Sequence, residues 1–264
     1  MDCLMTSLDK AGHLGRVELV VDVHASRLIP PPEEDDTVDK DENHTTEYDL
    51  TTFSSDTTAL ELTSTQTLLE IYLEWLEKYP ITAFVEPFAD TDVATSKELL
   101  NQGTHVLKTK AARSRENPVD STNAAPTGEL HGENPASADN VENVGDGSCL
   151  LRIIADDSVS KLPQLTFVNE QRGANAVMIN TSKCSTLSSI IALSSRAREL
   201  GWAIVVSAVD EQELEGDFLA ELAVGMRADK FLLGGLRSAS TISACARLMR
   251  IEDGGIPHVG VGNE

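Results

Sequence analysis

Ala174-Asn175-Ala176-Val177-Met178-Ile179-Asn180 is followed, after a short polar stretch, by Thr186 to Leu200, then by Gly201-Trp202 and Ala203-Ile204-Val205-Val206-Ser207. Ala174–Ile179 and Ala203–Ser207 are apolar runs of strand length, and Thr186–Leu200 has the length of a helix, stopped at Gly201. The same alternation continues on both sides. Downstream come a helix over Leu214–Met226, a short strand at Lys230–Leu233, a helix over Ser238–Arg250 ended by Gly254-Gly255, and a last short strand at His258–Val261. Upstream, Leu150–Ala155 reads as a strand ending in Asp156-Asp157, with a weak helix over Ser160–Glu170 after it. Ile81–Val85 is a strand followed by a helix over Asp92–Asn101. A helix over Gln66–Lys78 places Leu68, Tyr72 and Leu76 four residues apart, and Leu69 and Leu73 likewise, and Tyr79-Pro80 ends it. Val17–Val23 reads as a largely buried strand.

Repeated βα order predicts a parallel sheet with helices outside. Six or seven such units fit a βα barrel better than a nucleotide-binding sheet. No GxGxxG or GxxxxGK[ST] follows any of these strands, which removes the main signal for the alternative.

Two stretches break the pattern. Residues 30–49 begin Pro30-Pro31-Pro32 and continue with Glu33, Glu34, Asp35, Asp36, Asp39, Asp41 and Glu42; charges this dense repel one another and predict a solvated acidic loop. Residues 103–147 have almost no large apolar side chain after Leu107, so they are expected to form a disordered insertion. The predicted organisation is a first barrel part over 1–102, the insertion over 103–147, and a second barrel part over 148–264.

The chain of 264 residues carries 43 acidic against 21 basic side chains, a formal charge of −22. That excludes non-specific nucleic-acid binding, which needs phosphate neutralisation by Lys and Arg, and docking on anionic membranes. No apolar stretch approaches the roughly 18 residues of a membrane span. Met1–Lys10 lacks the basic-then-apolar pattern of a signal peptide. Cys3, Cys149, Cys184 and Cys245 form no CxxC pair and are expected reduced and buried. A cytoplasmic protein is the expectation.

In a βα barrel the chemistry sits at the C-terminal ends of the strands. The residues there are Asp22, Glu86, Asp156-Asp157, Asn180 and Ser207. Carboxylates on three successive strands offer the hard oxygen ligands that Mg²⁺ takes, and like charges held close call for a cation or proton between them. A strand-end Asp also commonly does no more than cap the next turn or helix. On spacing alone the two readings stand even.

Several motifs, in order along the chain, resemble the enolase family. They are Asp22-Val23-His24-Ala25-Ser26 and Tyr48-Asp49-Leu50; Lys78-Tyr79-Pro80 and Glu86-Pro87-Phe88; Ala155-Asp156-Asp157; Gly201-Trp202 with Ser207; Phe218 to Gly225; and Arg237-Ser238 with Leu248-Met249-Arg250-Ile251-Glu252. The resemblance implies an α/β fold, an incomplete TIM-type βα barrel corresponding to the enolase C-terminal domain. It implies a glycolytic Mg²⁺-dependent lyase, phosphopyruvate hydratase, which dehydrates 2-phosphoglycerate to phosphoenolpyruvate and is usually a dimer. It carries the metal-ligand roles onto Asp22, Glu86 and Asp156, and substrate-side roles onto Ser207, Arg237 and Ser238.

The departures from the family pattern are as informative. Aligned through Pro87-Phe88, the middle metal Glu falls at Val85, and Glu86 follows it. Successive strand residues face opposite sides, so Glu86 is expected to point away from the site unless a bulge turns it inward. The family's catalytic Lys falls at Asn180, whose amide is no base, with Lys183 three residues on in the loop. The phosphate-binding His-Arg-Ser becomes Ala208-Val209-Asp210, and a later substrate Lys falls at Leu232, two residues after Lys230. The chain is also expected to lack the family's N-terminal domain and first barrel strands, as a truncated or partial form would. Two functions are therefore expected: an enolase-type lyase with impaired or lost activity, and a non-catalytic protein using the barrel as scaffold. The second resembles the divergent enolase-like paralogue of animal sperm, which would place it in the flagellum.

Overall fold

The computed structural model describes residues 1–30, 46–51, 62–116, 150–181, 183–184, 186–207, 216–235 and 238–254. In chain order these form α1 (Asp2–Lys10), β1 (Leu19–Asp22), a 3₁₀ turn (Ala25–Leu28), β2 (Glu47–Asp49), β3 (Leu62–Ser64), α2 (Thr65–Lys78), β4 (Ile81–Val85) and α3 (Val93–Glu116). They continue as β5 (Arg152–Ala155), α4 (Leu162–Gln171), β6 (Ala176–Asn180), α5 (Leu187–Glu199), β7 (Ala203–Ser207), α6 (Gly216–Gly225), β8 (Lys230–Leu232) and α7 (Ala239–Asp253).

Six strands pair in parallel in the order β1-β4-β5-β6-β7-β8, an open half-barrel. Alternation along each strand sorts the side chains onto two faces. Phe84, Ile153, Ala155, Val177, Ile179, Ile204 and Val206 join the cluster that contains helix residues such as Leu76, Leu99, Leu165 and Leu193. Ala83, Val85, Ile154, Ala176, Met178, Ala203 and Val205 form a separate cluster on the concave face, with Leu232 packed against it. Three of these seven are alanines, and small side chains let the sheet curve tightly over that face. The curvature brings Lys230 Nζ of β8 within 3.7 Å of Glu18 Oε2, just before β1, so the two edge strands exchange an ion pair at their N-terminal ends. Both side chains are well exposed, so the pair adds roughly 0–1 kcal/mol.

Local chemistry explains the helix starts. Ser64, Thr186 and Ser238 sit in extended conformation and accept from the backbone N–H three residues on, at the head of α2, α5 and α7. Asn175 staples β5 to the entry of β6, with Oδ1 accepting from Ile153 N and Nδ2 donating to Leu151 O. Trp202 Nε1 donates to Asn169 Oδ1 and ties the entry of β7 to α4.

α3 runs on past the boundary expected at residue 103, through Gly103 to Glu116. A Cβ at Gly103 would lie 2.5 Å from Leu151 Cδ2 and 2.8 Å from Leu76 Cδ1, so the missing side chain is what lets α3 pack there. Lys110 completes the contact: its Nζ donates to Leu76 O and Tyr79 O, closing the C-terminal end of α2. The rest of the expected insertion, 117–147, lies outside the described residues, as do most of the acidic loop and the last strand at 258–261.

The acidic loop ends earlier than expected. Glu47–Asp49 pairs antiparallel with Leu62–Ser64, with Tyr48 opposite Thr63. Tyr48 is fully buried; its hydroxyl donates to Asp92 Oδ2 and accepts from Ala89 N. Thr46 and Thr65 also donate to Asp92, so one carboxylate anchors the hairpin beside the end of β4. Burial and the Asp92 charge push the Tyr48 phenol well above its usual range. α1 lies outside the expected elements and has no fully buried residue; Met5 packs against the main cluster, and Asp2 holds the helix to the end of α2 through Tyr79 Oη at 2.8 Å and Lys78 Nζ at 3.2 Å. The expectation that the cysteines are buried fails for the three described ones: Cys3 is exposed and Cys184 and Cys245 are half-buried, all as free thiols, while Cys149 lies outside the described residues. No helix among the described residues is long and apolar enough to cross a membrane.

Candidate functional site

The strand ends converge as a barrel requires, but the side chains they present differ from the expected set. β1 delivers Asp22, and two residues later His24 takes a left-handed conformation, φ 48° and ψ 53°. A residue with a Cβ rarely adopts that backbone, and doing so costs on the order of 1 kcal/mol. The conformation turns the imidazole into the site. Its Nδ1 lies 2.6 Å from Asp22 Oδ1, and its Nε2 lies 3.3 Å from Asp156 Oδ2 and 3.7 Å from Asp157 Oδ2.

Asp156 and Asp157 follow β5. Asp156 is buried, with 4% exposure, while the Asp22 and Asp157 side chains are about half exposed. The cation expected to stay in the loop, Lys183, reaches back over them. Its Nζ is 2.6 Å from Asp156 Oδ1 and 2.6 Å from Asp157 Oδ1. Burial works to lower the Lys183 pKa, but the hydrogen bonds to Asp156 and Asp157 outweigh it and hold the amine above the ordinary lysine value. Reciprocally, the hydrogen bond from Lys183 holds the Asp157 carboxyl below the usual carboxylate range, against the opposing effect of burial. Arg27 Nη2 lies 3.8 Å from Asp157 on the solvent side.

β4 contributes no ligand to this group. Val85 occupies the row between Asp22 and Ile154, is 1% exposed, and faces the concave apolar cluster. Glu86 follows with φ 43°, the local turn that the sequence left open. That turn does not carry its carboxylate to the metal-ligand group. Glu86 Oε1 instead accepts from Asp156 N at 3.0 Å and Ser158 N at 2.9 Å, capping the chain as it leaves β5.

On the far side, Asn180 and Ser207 are both buried and stand opposite each other in the β6–β7 register, with Leu232 next in the row on β8. Lys230 is engaged with Glu18 at the other end of the strands. Ser238 caps α7, its Oγ accepting from Thr241 N at 3.0 Å. Arg237 and Ala208-Val209-Asp210 lie outside the described residues. Of the expected site residues, then, Asp22 and Asp156 both reach His24, on opposite ring nitrogens. Glu86 lies alongside them but serves the backbone. His24, Asp157 and Lys183 are the members that sequence reasoning did not assign. The signal for His24 was present, a ring nitrogen pair inserted into an otherwise small-residue motif after Asp22.

His24, Asp156 and Asp157 each offer a ligand atom within 4.8 Å of the others. The group does not suit Mg²⁺, which takes near-octahedral oxygen ligands. One donor is an imidazole nitrogen, the β4 position is Val85, and an ammonium already bridges the two aspartates.

A family model, "Enolase, C-terminal TIM barrel domain", matches residues 1–109 and 137–258. Among curated proteins the chain is 22% identical to an enolase of Mastigamoeba balamuthi over 256 residues, covering 96% of the chain and 45% of that protein. It is 23% identical to an enolase of Eimeria tenella, covering 95% of the chain and 44% of the relative. It is 23% identical to enolase 1 of Entamoeba histolytica, covering 98% and 48%. The chain thus spans less than half the length of these relatives. The family match breaks between 109 and 137, inside the stretch where the sequence pattern also breaks. With the half-barrel and its strand-end carboxylates, these matches show that the chain belongs to the enolase family, within its C-terminal barrel region.

Proposed function

We propose that the protein is an enolase-like barrel that no longer dehydrates 2-phosphoglycerate and serves instead as a scaffold for binding. The observation that carries this reading is Asn180. It stands at the C-terminal end of β6, where the family resemblance puts the base, and its amide cannot take a proton from carbon. A positioned acid–base group contributes roughly 10²- to 10⁴-fold in rate. Lys183, the nearest replacement along the chain, is held in its protonated form by Asp156 and Asp157 and offers no lone pair. The dense acidic run from Glu33 to Glu42 suits a partner with a basic surface. A cytoplasmic place, flagellar if the likeness to the sperm paralogue extends that far, is consistent with this role.

The test is a direct assay of the purified protein with Mg²⁺ and 2-phosphoglycerate, following phosphoenolpyruvate absorbance. No turnover above buffer is expected. Robust Mg²⁺-dependent turnover would sink the proposal and return the protein to the lyases.

A further inference from the structure

The strand-end carboxylates raise a question that the loss of the base does not answer: what keeps them from repelling one another. We infer that Lys183 and His24 stand in for a divalent cation, so that the site carries its own counter-charge and takes up no Mg²⁺. The inference extends the non-catalytic reading to the metal and rests on that reading only in treating the site as released from catalysis.

A bridging cation would have two tasks here. The first is to neutralise Asp156 and Asp157. Lys183 Nζ does this from 2.6 Å to an oxygen of each, in the space that a bridging ion needs. A divalent ion entering there would meet a fixed positive charge at contact distance, in a place partly shielded from water. The second task is to hold the ends of β1 and β5 together across β4. His24 does this: its two ring nitrogens face Asp22 after β1 and Asp156 after β5, and the ring spans the row where β4 offers only Val85. The left-handed backbone of His24 is the local strain that aims it there.

Glu86 makes the substitution harder to reverse. Its Oε1 holds Asp156 N and Ser158 N, so recruiting it to an ion would release two backbone donors, one of them on a buried residue. Counter-charge is also at hand without a metal: Lys183 lies against Asp156 and Asp157, and Arg27 against Asp157.

The test uses Mn²⁺ as an oxygen-seeking probe whose free ion gives an electron paramagnetic resonance signal. Wild-type protein, Lys183→Met, Lys183→Arg and Asp156→Asn are each titrated, with thermal unfolding followed in parallel in MgCl₂ and in NaCl of equal ionic strength. Wild type and Asp156→Asn are expected to deplete free Mn²⁺ equally, through the acidic surface alone. The wild-type unfolding temperature is expected to be the same in both salts. Lys183→Met removes the ammonium while keeping a similar length of side chain. It is expected to unfold at lower temperature than wild type, to gain one Mn²⁺ per chain, and to recover stability when the ion binds. Lys183→Arg keeps the charge and is expected to gain none. Capture of one Mn²⁺ per wild-type chain, abolished by Asp156→Asn and displaced by Mg²⁺, would overturn the inference. So would a folded Lys183→Met protein that gains no ion. If Lys183→Met does not fold, the wild-type and Asp156→Asn titrations decide alone. Metal capture at Asp156 and turnover of 2-phosphoglycerate can each occur without the other, so the two readings fail separately.

Discussion

Replacing Glu86 by Ala separates its role as a cap from the ligand role that its place in the chain suggests. Glu86 is 6% exposed, and one of its oxygens accepts from two backbone N–H groups, those of Asp156 and Ser158. Hydrogen bonds to a charged group contribute about 1.5–3 kcal/mol each, and stranded buried donors cost about 1–3 kcal/mol each. Ser158 N can recover water more easily than Asp156 N, because Asp156 is buried. Together these put the loss for Glu86→Ala at roughly 2–4 kcal/mol. For a chain of this size that is a fall of roughly 5–15 °C in unfolding temperature. Glu86→Gln keeps a carbonyl oxygen for the same donors and gives up only the charge assistance, so it should lose about 1–2 kcal/mol. Urea unfolding followed by circular dichroism measures both. The reasoning fails if Glu86→Ala lies within about 0.5 kcal/mol of wild type, or if Gln is as damaging as Ala. A ligand role predicts a different pattern: little change in the absence of metal for either variant.

Tyr48→Phe removes the hydroxyl that joins Asp92 to Ala89 N; a loss of about 1–2 kcal/mol is expected in urea unfolding, since a buried amide loses its acceptor. Lys110, half-buried against the end of α2, has its pKa lowered by burial below the ordinary 10.5. The unfolded chain therefore binds more protons than the folded one just below that value, and stability should rise with pH through that window. The rise should be absent in Lys110→Met when the two proteins are compared by urea midpoint across alkaline pH. Restoring the missing amine by Asn180→Lys should not produce phosphoenolpyruvate, because Val85 and the Lys183 bridge remain; absorbance in the coupled presence of Mg²⁺ and 2-phosphoglycerate reports the outcome.

Uninterrupted apolar runs made the sheet readable. Ala203–Ser207 and Ile81–Val85 have the same bounds in sequence and structure, because strands buried on both sides read as nearly continuous apolar runs, with Thr82 and Ser207 the exceptions. The later turns of α3 are hard to read from sequence because, beyond Val106 and Leu107, they are carried by close packing at Gly103 and by the Lys110 cap, neither of which has a periodic apolar signature. α1 is short and has no fully buried residue, touching the core only through Met5. At the site, the strand ends named Asp22, Glu86 and Asp156-Asp157 together, without saying which of them would meet. The destination of Glu86 depended on a positive φ that sequence does not print. Lys183 meets Asp156 across 27 residues of chain, a long-range ion pair with no local trace. Charge compensation of this kind is a property of the folded cluster, and the residues that supply it are recognisable only once their partners are placed.

Proton abstraction from carbon is the step that Asn180 should have removed, and it can be observed without waiting for elimination. The protein is incubated in D₂O with Mg²⁺ and 2-phosphoglycerate, and the proton on the carbon bearing the phosphate is followed by NMR. The expected result is a signal that persists at the rate of buffer alone. Enzyme-dependent loss of that signal to deuterium would contradict the claim that this barrel has given up its chemistry.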